Sequence, residues 1–211
     1  MAYESPTDLL VLHAIRLKGM ADVGSVVERF SLDRALVEEL LLDYEARRWI
    51  ERVGFADLSG WTLTGTGRVE NSRRLAAELA ETGAREPIAD SHSIFLQLNG
   101  LFLTAVTKWQ IRPTPWDPLA ANDHGDWRWD ERVIKELASL RRRLQPVCER
   151  LSGTLTRFDG YPDRFSAALD RVDQGQTASV DQPGIDSCHL IWFELHEDLL
   201  ATLGLERGQE S

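Results

Sequence analysis

The chain has 211 residues, of which 43% are hydrophobic and 27% charged, with 34 acidic against 24 basic side chains and a formal net charge of -10. That balance is that of a folded domain, or two small ones, and excludes a disordered, collagen-like or disulfide-scaffold chain. The negative charge removes any long-range attraction to nucleic acid or anionic membrane, so a DNA contact would have to come from a local patch.

Ser5-Pro6-Thr7-Asp8 reads as a helix start, with serine at the N-cap, proline at the first helical position and an acid behind it. Leu9, Leu10, Leu12, His13, Ile15 and Leu17 follow as the apolar set, and Gly19 stops the helix. A short second helix is expected from about Asp22 to Phe30. Ser31 is expected to cap a third, with Leu32, Leu36, Val37, Leu40, Leu41 and Tyr44 at helical spacing. Trp49 to Val53 alternates as a strand, Asp57 to Gly60 reads as a turn, and Trp61 to Leu63 as a second strand before a fourth helix over about 66–82.

Helix, helix, helix, hairpin, helix is the order of a winged helix-turn-helix. Arg47-Arg48-Trp49-Ile50-Glu51-Arg52 resembles the entry to the wing in MarR-type regulators, and Trp61-Thr62-Leu63-Thr64-Gly65-Thr66-Gly67 is similar to their aromatic-x-Leu-Thr-x-x-Gly exit. The resemblance covers about the first 80 residues. The chain departs from the family at the wing tip, Phe55 to Gly60, which has no cation, and at Arg48, which stands where the family usually has glycine. A polar stretch from Thr82 to Asp90 marks the expected boundary, giving a winged-helix domain over 1–86 and a helical dimerisation or effector domain over 87–211. Neither is basic: 15 acids stand against 11 bases in the first and 19 against 13 in the second.

The second half reads as all-helical. A helix is expected over about 90–109, followed by a linker with Pro113, Pro115 and Pro118, then Asn122-Asp123-His124-Gly125-Asp126-Trp127. From Asp130 the residues Val133, Leu137, Leu140, Leu144, Val147 and Leu151 form a core stripe that Pro146 should kink or break. Phe165, Leu169 and Val172 mark another helix, and after a loop from Asp173 to Ile185 the last helix runs from about Asp186 to Leu203. Arg141-Arg142-Arg143 reads as an exposed helix face.

Three sets of residues could carry function. In a helix-turn-helix the start of the third helix enters the major groove while flanking cations meet phosphates. Here that start offers Ser31, Asp33, Arg34 and Ala35, with Glu38 one turn on, and Arg16, Lys18, Arg29, Arg47, Arg48, Arg52 and Arg68 are the supporting cations. Asp33, Glu38, Glu39, Asp43 and Glu45 oppose phosphate over the same stretch. The second set lies on the helix from Ser91 to Gln110, which is apolar nearly all round and so expected to be buried on two sides, as the centre of its domain or as a dimer seam. His92, Asn99, Phe102 and Trp109 belong to it; Asn99 is either a satisfied core residue or part of a cavity wall. The third set, on the last helix, places His189, Trp192, Phe193 and His196 on an apolar face, while Ser187, Glu194, Glu197, Asp198 and Thr202 share a polar sector. His189 and His196 stand seven residues apart, too far along a helix to hold one metal ion, so no metal is expected. The cluster Asn122, Asp123, His124, Asp126 reads as a structured loop with a helix cap at Asp126 or Asp130.

No phosphate loop, nucleophile elbow or His-Glu-x-x-His motif is present, and neither catalysis nor a cofactor is expected. Cys148 and Cys188 are too few for a disulfide framework, the opening Met-Ala-Tyr-Glu-Ser-Pro has no signal-peptide pattern, and the most apolar run, Ile94 to Val106, contains Gln97 and Asn99; these point to a cytoplasmic protein without a membrane partner. The reading is a mainly α protein acting as a ligand-responsive regulator, most simply a repressor. A homodimer would set two recognition helices one DNA turn apart, and a small apolar or aromatic effector bound near Asn99, His189, Trp192 and His196 would favour another spacing. The alternative is an accessory protein whose acidic winged helix docks a partner.

Overall fold

The computed structural model describes residues 2–55, 58–206 and 208. Among them are eight α-helices and a two-stranded antiparallel sheet, in the order α1 (Thr7–Lys18), α2 (Val23–Phe30), α3 (Arg34–Ala46), β1 (Ile50–Phe55), β2 (Leu58–Leu63), α4 (Gly65–Thr82), α5 (Arg85–Gln110), α6 (Trp127–Ser152), α7 (Tyr161–Asp173) and α8 (Cys188–Leu203). No helix is long and apolar enough to cross a membrane among the described residues. The chain divides into two compact units. One comprises Met1–Glu86 with Thr154–Arg157 and His196–Ser211, and the other Pro87–Gly153 with Phe158–Leu195. The second half of the chain therefore returns two pieces to the first unit, which the expected division at 86 did not include.

In the first unit, helices start where short polar side chains offer an oxygen to orphan N–H groups. The Asp22 carboxylate accepts from Ser25 N while the Ser25 hydroxyl meets Asp22 N, a capping box at the head of α2. Asp33 accepts from Leu36 N at the head of α3. Helix α1 starts differently: Pro6 stands at its cap without a side-chain bond, and Ser5 turns inward to Glu78 instead. The three helices bury Val11, Leu12, Ile15, Val26, Val37, Leu41 and Tyr44 around Ile50 of β1, each contributing about 1.5–3 kcal/mol of apolar transfer.

The hairpin pairs Ile50 with Leu63 and Phe55 with Leu58, so β2 begins where the sequence suggests a turn; of that turn, Asp57, like its neighbour Ala56, lies outside the described residues. Ala21 joins the hairpin edge through two backbone bonds with Trp61, and a Cβ at Gly60 would come within 2.7 Å of the Ala21 carbonyl. A second glycine is required at Gly67, where a Cβ would collide with the Trp49 carbonyl. Thr64 caps α4 by accepting from Gly67 N, and its hydroxyl together with that of Thr66 reaches the Arg48 carbonyl at 2.7 and 2.8 Å. The Thr-x-x-Gly spacing thus clamps α4 onto the junction of α3 and β1. Tyr3 adds a short parallel bridge to Leu155, which brings Thr154–Arg157 into this unit.

In the second unit, α6 buries Val133, Leu137, Leu140, Leu144, Val147 and Leu151 as the stripe requires. It runs unbroken through Pro146, against expectation. Pro146 and Arg142 are both exposed, so the carbonyl that proline cannot serve lies on the solvent side, where water satisfies it. Asp126 caps α6 by accepting from Arg128 N, and Arg142 and Arg143 are exposed, both as the sequence suggests.

Candidate functional site

The turn between α2 and α3 and the face behind it hold the residues that the sequence assigns to DNA. Ser31 does not cap α3: it ends α2 in the left-handed region at φ 53°, and Asp33, whose carboxylate is committed to Leu36 N, is the cap. Arg34 and Ala35 are exposed at the start of α3, but Arg34 Nε sits 3.1 Å from the Glu38 carboxylate one turn on. Arg47 likewise meets Asp43 at 2.9 Å and Arg52 meets Glu45 at 3.1 Å. Exposed pairs of this kind stabilise by at most about 1 kcal/mol, so a competing anion exchanges for the carboxylate readily. The guanidiniums of Arg47 and Arg52 also lie 5.1 Å from the ring centroids of Trp49 and Trp61. Arg34 and Arg52 line a cleft of about 410 Å³ with the first turn of α2, and Arg52 also lines a second groove with Arg48 and the start of α4.

Arg48 is exposed and adopts φ 58°, with its N–H bonded to Glu45 O as α3 closes. The family glycine whose place it takes has a clear physical basis, since a left-handed residue ends the helix there. A side chain in that region costs roughly 1 kcal/mol. Of the remaining cations, Arg68 is exposed with its guanidinium 3.6 Å from Glu197. Arg16 and Arg29 do not supply phosphate contacts: Arg29 is buried, and Arg16 is bound to Glu197 and Ser72. Leu36 and Leu42 of α3 are 39% and 59% exposed, which the helical pattern alone did not separate from the core positions.

Behind this surface the first unit contains a polar cluster that sequence reasoning missed. Arg157 reaches Glu78 at 3.0 Å, Thr202 at 2.7 Å and Asp198; His13 Nε2 lies 2.9 Å from the same Asp198 carboxylate, and Arg29 is 3.8 Å from its other oxygen. Every one of these side chains is almost completely buried. Burial alone would raise the Asp198 carboxyl, but Arg157, His13 and Arg29 outweigh it and hold the group well below the ordinary carboxylate range. His13 is held below the ordinary histidine value by burial, with Arg157 and Arg16 pushing the same way and Asp198 opposing. It is therefore neutral at pH 7. The only trace in the sequence is a histidine set into the apolar face of α1.

In the second unit, the expected pocket residues are mostly packed against one another. Phe102 stacks on Trp192 with centroids 4.3 Å apart and planes at 4°, Phe95 lies 5.1 Å from the same indole, and Trp192 Nε1 donates to Asn99 Oδ1 at 2.9 Å. Asn99 is thus a satisfied core residue, and the rings occupy the space that the expectation gave to a ligand. His189 packs over Phe102 at 6.2 Å and His92 is buried. Three residues fall elsewhere. Phe193 is exposed; His196 belongs to the first unit; Trp109 packs on His124, 4.4 Å away. His124 in turn bonds Asp130 through Nδ1 at 3.0 Å, and Asn122 donates to Asp130 and to the Trp109 carbonyl, so the 122–130 segment is a structured loop. Arg164 closes this unit with Asp186 and Glu194. The polar sector of α8 is accordingly buried against arginines, Glu194 in one unit and Asp198 in the other. Among the described residues no group of three or more His, Cys, Asp or Glu is placed to hold a metal ion. Comparison with protein families, curated proteins and solved structures finds no match.

Proposed function

We propose that α1 to α4 with the hairpin form a winged helix-turn-helix, MarR-like in type, that binds double-stranded DNA as part of a homodimeric transcriptional regulator. The observation that carries this reading is Arg48. An arginine occupies a left-handed position where glycine is more stable, on a surface that already exposes Arg34, Arg47 and Arg52 around two adjoining grooves. Retaining a charged side chain at a cost in stability is what a phosphate contact would require. Four arginines per copy limit the phosphates neutralised, so the salt dependence should be moderate: log K against log salt with a slope no steeper than about -7 for a dimer. Repression would follow from occupying the promoter. An effector would have to part the Phe102–Trp192 stack to enter, and differential affinity for that opened form would drive release.

The test is a salt-resolved mobility shift on the DNA upstream of the protein's own coding sequence, comparing wild type with Arg48→Gly. The variant should be more stable by about 1 kcal/mol and should bind DNA at least about tenfold more weakly, with a shallower salt slope. Equal binding by both proteins, or none by either, refutes the reading. A second reading, docking of a protein partner, is favoured by exposed Leu36 and Leu42 beside Glu38, Glu39 and Asp43 on α3. Glu38→Gln separates the two, because it frees Arg34 and should strengthen DNA binding while weakening an acid-directed protein contact.

A further inference from the structure

Helix α5 is buried on one side only. Phe95, Leu98, Phe102, Ala105, Val106 and Trp109 face the core of their unit, whereas Ile94, Leu101 and Leu103 are exposed, the last two at 48% and 50%. From Ser91 to Thr107 the helix contains no Asp, Glu, Lys or Arg, in a chain that is otherwise 27% charged. At helical spacing the exposed side has a centre of Ser93, Gln97, Gly100 and Thr104, with leucine and isoleucine along both edges. The polar groups of that centre are largely spent on the helix itself. The Thr104 hydroxyl donates to Gly100 O at 2.9 Å and the Ser93 hydroxyl to Ala89 O at 3.0 Å. Water can therefore leave this face without orphaning either hydroxyl donor, which a face built for solvent has no need to arrange. A Cβ at Gly100 would meet nothing within 4 Å, so a second backbone can approach there.

We propose that this face is the homodimer interface, with α5 of one copy packed on α5 of the other about a two-fold axis near Gly100. Electrostatics selects the occupant. Two copies each carrying a net charge of -10 repel wherever their acidic surfaces meet, and a charge-free face is where they approach at least cost. A partner chosen for opposite charge would find nothing to pair with here. The small centre and branched edges are also self-complementary: the edge leucines of one helix fill the space beside the glycine of the other, as an isologous contact requires. The proposal specifies the seam of the homodimer invoked above and rests on that reading only for the existence of two copies.

Sedimentation velocity on the full chain, without DNA, over about 1–200 µM at 0.15 M salt tests it. Wild type should show a concentration-dependent dimer. Thr104→Arg and Gly100→Arg should each weaken it by at least about 100-fold, because each drives two like charges together on the axis, while the thermal midpoint measured at low concentration stays unchanged. Mixing Thr104→Arg with Thr104→Glu should restore a dimer, the signature of a two-fold contact at that position. If Thr104→Arg fails to fold, Gly100→Arg and the mixture of Gly100→Arg with Gly100→Glu decide the matter, since open space surrounds that position. A wild type that is monomeric throughout, one that binds only a different protein through this face, or a dimer untouched by both arginines overturns the proposal. Because no DNA is present, a failed mobility shift leaves these outcomes standing, and a monomer leaves the DNA test standing.

Discussion

Replacing Arg157 by methionine should be among the most damaging single changes in the first unit. The guanidinium is fully buried and bonds Glu78, Asp198 and Thr202 at once. Methionine matches its stem but leaves two buried carboxylates facing each other, with only Arg29 and neutral His13 nearby on the Asp198 side. Breaking a buried pair by removing one partner costs about 3–5 kcal/mol, and the loss of a second ionic bond and a hydroxyl contact places the expectation at the upper end. For a chain of this size 1 kcal/mol moves the midpoint by about 2–4 °C, so the loss should be roughly 10–15 °C. Urea unfolding followed by circular dichroism at pH 7 measures it. The double variant Arg157→Met with Asp198→Leu should be less destabilised than the sum of the two single changes by at least about 1 kcal/mol, since the same ion pair is lost in each. A cost below 1 kcal/mol for Arg157→Met, or strict additivity in the cycle, would refute the account of a mutually dependent buried network.

The same cluster sets a pH dependence. His13 is buried neutral with its value lowered, so the unfolded chain takes up a proton first and stability falls as pH drops below about 6.5, the ordinary histidine value; His13→Asn should flatten midpoint against pH between 7.5 and 5.5, and an unchanged profile would contradict the assignment. Asp198 adds a further loss in acid, because its carboxyl is held below the ordinary range and its contribution disappears as pH falls through that range. Gly67→Ala should destabilise by more than about 3 kcal/mol through collision with the Trp49 carbonyl, whereas Gly100→Ala, with open space, should raise the stability of the monomer by about 1 kcal/mol; comparable midpoints for the two variants would show that the backbone approach at Gly67 is wrong. Burial pushes the Cys148 and Cys188 thiols up to about 12, so both should react with a thiol reagent at pH 8 only after denaturant is added, and fast labelling of the native protein would count against their placement.

What the sequence determines here acts within about four residues along the chain. Asp22 and Asp33 find their N–H groups three residues on, Thr64 finds Gly67, and the α6 stripe meets its core because helical geometry repeats in every turn. The element order and the mainly helical class follow from these local rules. Their limit shows at Ser31, where two candidate caps stand two residues apart and the backbone uses the second. The same local rules are silent on which polar groups meet from afar. His13 and Asp198 are separated by 185 residues, and Arg157 and Glu78 by 79, so no spacing relates them. Only the packing of Thr154–Arg157 and the end of α8 into the first unit makes the polar sector around Asp198 an ionic core. In the same way, periodicity showed α5 to be apolar nearly all round but could not say that one side meets Trp192 and the other meets solvent. A side chain's distance along the sequence sets its local geometry; its dielectric surroundings, and with them its charge and its partners, come from which remote segments exclude the water.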